Sequence, residues 1–148
     1  MNKTTLTLKE ADMIRRHATF AAELAMNTFL ADWRLETGSS PYDEPMYCGF
    51  AWVTVHPEHK GNTRLGKAER SILKSLGFEK DWTGKAYELC NPTGYAGQSM
   101  DVKEVGARAY AEVLQEHGFK ASWEAGPLDR KYERVLASAF YCQRQRAD

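Results

Sequence analysis

The sequence predicts an α+β fold, a ferredoxin-like βαββαβ plait with a long N-terminal helix and a C-terminal helix, in a single domain over residues 1–148. Three observations predict it. A helical periodicity runs from residue 8 to a glycine at 38, and the period then changes to that of a strand. The segments "LGKAERSILKSLGFEKDW" and "VGARAYAEVLQEHGFKASW" repeat one succession of helix, Gly, Phe, strand and Trp. A strand–helix–strand unit written twice closes most economically into a four-stranded antiparallel sheet, and right-handed crossovers place both helices on one of its faces.

The elements follow in order. Thr7 with Glu10 forms a capping box, so a helix starts there. Leu8, Ala11, Ile14, Ala18, Ala21, Ala22, Ala25, Phe29 and Trp33 then keep the helical period. The predicted helix covers residues 8–35 and is about 40 Å long at 1.5 Å per residue. It is longer than a small sheet needs, which leaves two readings of its Ala-rich stripe: it bends over its own core, or part of it packs on a second chain. Residues 38–46, containing "GSSPYDEP", form a linker. The core is expected over residues 48–123. Phe50 to Val55 is an aromatic and β-branched run, a strand suited to burial on both faces. Leu65, Ala68, Ile72, Leu73 and Leu76 mark a helix closed by Gly77. In "FEKDWTGKAYEL", Thr83-Gly84 is a tight turn between two short strands. Asp101 and Glu104 form a second capping arrangement, opening a helix that ends at Gly118, and Phe119 to Trp123 is the last strand. Leu128, Tyr132, Val135, Leu136 and Ala139 predict a C-terminal helix over residues 128–145.

Composition excludes several classes of function. Twenty basic residues balance twenty acidic ones, which argues against a protein held to nucleic acid by a general basic surplus and leaves room for a local patch. Cys48, Cys90 and Cys142 are odd in number and have no CxxC spacing, so no disulfide framework is expected and a reducing cytoplasm fits best. The N-terminus carries charges where a secretory signal needs an apolar core, and no stretch approaches a membrane span.

In the predicted plait, the first and third strands are expected side by side and parallel, their C-terminal ends meeting the N-termini of both helices. His56, His59, Lys60, Asn62, Arg64, Cys90, Asn91, Asp101 and Lys103 would then share one end of the sheet. The segment "VTVHPEHKGNTRLGKA" is the centre of interest. Helix N-terminal N–H groups and the helix dipole attract anions, and Lys60, Arg64 and Lys67 would add charge. The candidate anion-binding set is therefore Lys60, Gly61, Asn62, Arg64, Gly66, Lys67 and Asn91. A nucleotide-hydrolysing loop is not expected, because Ala68 stands where magnesium needs a Ser or Thr. The bland reading is that Gly61 and Gly66 only permit the turn and close packing.

Other chemistries are incomplete. His56, His59 and Cys90 are three zinc-type ligands without a fourth, and the histidines are by default ordinary turn residues. Cys90 at a strand end, with His56 or His59 as base, has the elements of a nucleophile, but such a Cys is more often a small buried group. Asp43, Glu44, Glu58 and Asp101 are scattered, without an acid/base pair. Trp52 or Tyr87 could stack bases on an open sheet face. No catalytic residue, metal site or cofactor is therefore assigned.

Two resemblances add to this. "VHPEHKGNTRLGKA", "YELCNPTGY" and "ARAYAEVLQEHGF" resemble the pyrophosphate turn, Asn-bearing strand end and Tyr-bearing helix of GNAT-type N-acetyltransferases. The resemblance implies acetyl-CoA bound by N–H groups near Asn62 to Gly66, with Tyr110 as acid for the departing thiolate. This turn has one residue more than that family's, and Thr63 or Arg64 where the family has its second Gly. "GFAWVTV", "GNTRLG", "GFEKDWTGKAYELCNP" and "DVKEVGARAYAEVLQEHGF", spanning most of residues 48–119, are similar to a group of small uncharacterised proteins of tailed bacteriophages. In that group an aromatic residue is expected where Cys90 stands. The likeness implies a phage context, in the host cytoplasm or with the virion, and no activity.

The functional expectation is a phage-type accessory protein that binds a host or phage macromolecule without catalysis, in host interference or virion assembly. A GNAT-like acetyltransferase and a nucleic-acid-binding module are the alternatives. The expected partners are a host or phage protein, nucleic acid, or a second copy through the N-terminal helix, and not a membrane.

Overall fold

The computed structural model describes residues 6–127. The predicted C-terminal helix at 128–145 lies outside them. Helix α1 spans Leu8–Thr37. Both halves of its capping box form: the Thr7 hydroxyl accepts the Glu10 N–H at 3.2 Å, and the Glu10 carboxylate accepts the Thr7 N–H at 2.7 Å. Gly38 closes the helix in the left-handed region at φ 64°, where a Cβ would be strained.

After α1 come β1 (Gly49–Val55), α2 (Arg64–Ser75), β2 (Glu79–Lys80), β3 (Tyr87–Cys90), α3 (Met100–Glu116) and β4 (Ala121–Pro127). The fold is α+β, with a four-stranded sheet in the order β2-β3-β1-β4 and every neighbouring pair antiparallel. The turn between β2 and β3 is longer than expected from Thr83-Gly84. Asp81 organises it, its carboxylate accepting the Thr83 N–H at 3.1 Å and the Thr83 hydroxyl at 2.7 Å.

Strand alternation divides the sheet residues between two faces. Ala51, Val53 and Val55 share one face with Tyr87 and Leu89 of β3 and with Ala121, Trp123 and Ala125 of β4. This face meets the helices. Ile72 and Leu73 of α2 and Ala107, Tyr110, Ala111 and Leu114 of α3 join it in one apolar cluster. Helix α1 adds Ala11, Ile14, Ala18 and Ala22 to the same cluster and packs mainly on α3. The Ala-rich stripe is thus spent inside the chain's own core and is not the surface offered to a second copy.

Trp52 and Thr54 occupy the other face with Glu88, and all three are buried. Strand β1 is therefore covered on both sides, as its composition predicts. The base-stacking expectation fails on this geometry. Tyr87 belongs to the helix-covered face and is 1% exposed; Trp52 points the opposite way and is 2% exposed.

Two further expectations are corrected. Helix α3 starts one residue early, at Met100 after Ser99, and Ser99 makes no side-chain cap bond, so Asp101 and Glu104 do not form the predicted capping pair. Strands β1 and β3 are adjacent but antiparallel. The reason is topological. The crossover through α2 leaves β2 parallel to β1 one place away, and the β2–β3 hairpin must then return β3 between them in the opposite sense.

The small residues of α1 set how closely it approaches α3. Ala18→Leu should overfill that contact and lower unfolding free energy by about 1–3 kcal/mol in urea titration. Leu24→Ala, on the exposed side of the same helix, should stay within about 0.5 kcal/mol of the parent.

Candidate functional site

The turn from His56 to Lys67 leaves the C-terminal end of β1 and enters α2. Thr63 is the N-cap: its hydroxyl accepts the Gly66 N–H at 3.0 Å and donates to the Lys60 carbonyl at 2.7 Å. The Thr63 N–H also bonds the Lys60 carbonyl, at 3.1 Å. Gly66 is buried against that carbonyl so closely that a Cβ would overlap the Lys60 oxygen, which is why a glycine is required there.

The turn does hold an anion, and the anion belongs to the chain. Glu69, 1% exposed on α2, accepts the Glu58 N–H at 2.9 Å and the His59 N–H at 3.1 Å through its carboxylate. Arg70, one residue on, donates to the His59 carbonyl at 2.9 Å and to the Gly66 carbonyl at 3.0 Å. An acid and a base of α2 thus fasten both polarities of the turn backbone. Lys60, Gly61, Asn62, Arg64 and Lys67 remain exposed around it. Neither Glu69 nor Arg70 was singled out from sequence. A signal existed for Glu69, which falls three and four residues before the buried Ile72 and Leu73, on the apolar face of an amphipathic helix.

Asn91, the remaining candidate, is not part of this site. The register pairs Trp52 with Cys90 and Val55 with Tyr87, so β3 ends where β1 begins. Cys90 and His56 are separated by four positions along β1, about 13 Å at strand rise. The predicted single cluster is therefore two. His56, His59, Lys60, Asn62 and Arg64 lie at one end; Cys90, Asn91, Asp101 and Lys103 at the other. Asn91 has a left-handed backbone at φ 46°, its N–H bonds the Ala51 carbonyl at 2.9 Å, and its amide Nδ2 donates to the Tyr95 carbonyl at 2.9 Å. It shapes a loop. Cys90 is disulfide-bonded. It is no thiolate nucleophile, and with the histidines at the far end no zinc set forms; among the described residues no group of three or more His, Cys, Asp or Glu could hold a metal. Cys48 is a free, exposed thiol.

The second end has its own polar centre. Tyr95 donates its hydroxyl to Glu44, and Glu44 also accepts the Gln98 N–H at 2.9 Å. Lys103, buried, donates to the Gly49 carbonyl at 3.0 Å and sits 5.0 Å from the Phe50 ring centroid. Burial works to raise the Glu44 carboxyl, but the Tyr95 hydroxyl, the Gln98 and Ser99 N–H groups and the Lys103 charge outweigh it and hold the carboxyl below its ordinary 4.5. Burial and then the Glu44 carboxylate push Tyr95 up to about 12. This centre ties the linker to the loop before α3. Its partners are 51 positions apart in sequence, and no local pattern announces them.

Tyr110 lies in the core beside Phe78, 1% exposed, and burial raises its hydroxyl to about 12. Comparison with protein-family models, with curated proteins and with solved structures returns no match.

Removing the internal anion should loosen the turn. Glu69→Ala should cost about 1–3 kcal/mol by leaving the Glu58 and His59 N–H groups without their acceptor, read by chemical denaturation. At the other end, the depressed Glu44 carboxyl stabilises the fold above pH 4.5, and that stability disappears as pH falls through its folded value. The difference in melting temperature between the parent and Glu44→Gln should accordingly be largest near neutrality and shrink towards pH 3, measured as a pH series.

Proposed function

We propose that the chain is a phage-type accessory protein that acts by binding a host or phage protein, in host interference or virion assembly, and that the outer face of α1 is where the partner docks. The observation that carries this reading is the exposed apolar stripe on α1. Met13, Phe20 and Leu24 are 64%, 65% and 57% exposed, and Leu35, three turns beyond Leu24, is 83% exposed. Spacings of seven, four and eleven residues put all four on one side of the helix, away from the stripe of Ala11, Ile14, Ala18 and Ala22 that the core consumes. Large apolar side chains gathered on an exposed face mark interaction surfaces in soluble proteins. Among the described residues no helix is long and apolar enough to cross a membrane.

We also assign the core to the ferredoxin-like plait, since its βαββαβ succession has β1 and β3 at the centre of the sheet and β2 and β4 at the edges. The site of action we propose is the host cytoplasm or the virion. The acetyltransferase alternative has weaker support. The Gly66 N–H, one of those that would face a pyrophosphate, is already taken by the Thr63 hydroxyl, and Tyr110 is enclosed in the core.

The test is affinity capture from phage-infected cells with immobilised parent and with Phe20→Glu/Leu24→Glu. Circular dichroism of the variant should match the parent, because both positions are exposed. A defined protein held by the parent and lost by the variant is the expected result. Equal retention by both, or acetyl transfer from acetyl-CoA by the parent, would overturn the reading.

A further inference from the structure

A second surface has a different chemistry. Lys67, Arg70, Ser71, Lys74, Lys80 and Tyr87 line a cleft of about 290 Å³ between α2 and β2. Four of these six are cations and none is an acid. Lys67, Ser71 and Lys74 follow at helical spacing on α2, and Arg64 extends the same row by one turn towards Lys60. Twelve residues of helix make this row about 18 Å long. Arg70 is already positioned by the His59 and Gly66 carbonyls, so less freedom is lost when its remaining N–H groups meet a ligand. Like charges so gathered repel one another unless an anion lies between them.

An independent observation points to a ligand. Tyr87 is 1% exposed, and its hydroxyl has no hydrogen-bond partner. Buried phenol hydroxyls ordinarily find one. A phosphate oxygen in the cleft would accept from it. Beyond Lys80, on the β2–β3 hairpin, Trp82 is 64% exposed and offers a ring on which a base can stack.

We propose that the α2–β2 cleft binds the phosphate backbone of a single-stranded nucleic acid. A linear row of cations suits a polymer better than a single phosphate, because a strand presents a succession of phosphates along its length. The site as proposed reads backbone and stacking, so its binding is indifferent to base order. It lies on elements other than α1 and does not depend on the partner proposed there.

Fluorescence anisotropy of the full chain with a short labelled single strand of mixed sequence tests this. Binding should weaken with salt, the log–log slope falling by about 0.7 for each phosphate contact. Lys67→Gln/Lys74→Gln should weaken binding at least about tenfold and flatten the slope by about 1.4. Trp82→Ala should cost about tenfold with the slope unchanged. Tyr87→Phe should weaken binding without lowering the melting temperature, since the hydroxyl it removes holds no partner in the chain. Lys9→Gln on α1 should change nothing. No binding at low salt, equal loss in Lys9→Gln, or a duplex bound as tightly as the single strand with Trp82→Ala silent would each overturn the proposal.

Discussion

Strand β1 lies between two antiparallel neighbours, β3 on one side and β4 on the other, and the rest of the structure depends on that arrangement. Antiparallel pairing sends the two crossovers out of opposite ends of the sheet. The turn into α2 leaves beside Val55, while the loop into α3 leaves beside Cys90, which is paired with Trp52. Each end consequently has its own polar organisation. The first is built on Glu69 and Arg70, the second on Glu44, Tyr95 and Lys103. Chemistry that needs His56 and Cys90 together has no place in this fold.

The turn at the α2 end shows how a phosphate-like sequence can be satisfied without phosphate. Spacing of Gly61, Gly66 and Lys67 invites an external anion, yet the buried Glu69 carboxylate receives the N–H groups of Glu58 and His59. A carboxylate carried on the helix is always present, so the turn is rigid before any ligand arrives. Lys67 of that turn lines the cleft between α2 and β2 together with Arg70, Lys74 and Lys80. A chain with balanced charge overall can thus concentrate positive charge on one cleft, because its acids are used elsewhere: Glu69 in the turn, Asp12 between Arg15 and Arg16 on α1, Glu44 at the far end.

Much of the fold was legible because its signals are local. Thr7 with Glu10 starts α1 and Gly38 stops it; Gly77 and Gly118 close α2 and α3 at φ 93° and 86°. The doubled helix–Gly–Phe succession located the sheet. The direction of β3 was not legible from its own residues, since alternation in "YELC" is the same read either way, and only the short hairpin from Lys80 to Tyr87 dictates it. The candidate site was half legible. Lys60 to Lys67 do stand together, but their organiser Glu69 looks like one more helix acid until its phase against Ile72 and Leu73 is noticed. Asn91 was assigned to the wrong end for the same reason that β3 was assigned the wrong direction. The Glu44–Tyr95 pair joins distant segments, which periodicity and spacing do not report.

The pairing of β1 with β3 can be measured directly. The Asn91 N–H bonds the Ala51 carbonyl, so 51/91 is a hydrogen-bonded pair and the pairs 52/90 and 54/88 lie between the bonds. In those pairs the Cα atoms approach to about 4.5 Å, close enough for strong contacts between α-protons. Nuclear Overhauser spectra of the labelled protein should show Hα–Hα cross-peaks between Trp52 and Cys90 and between Thr54 and Glu88. Cross-peaks placing Cys90 beside Val55 or His56 would contradict the account.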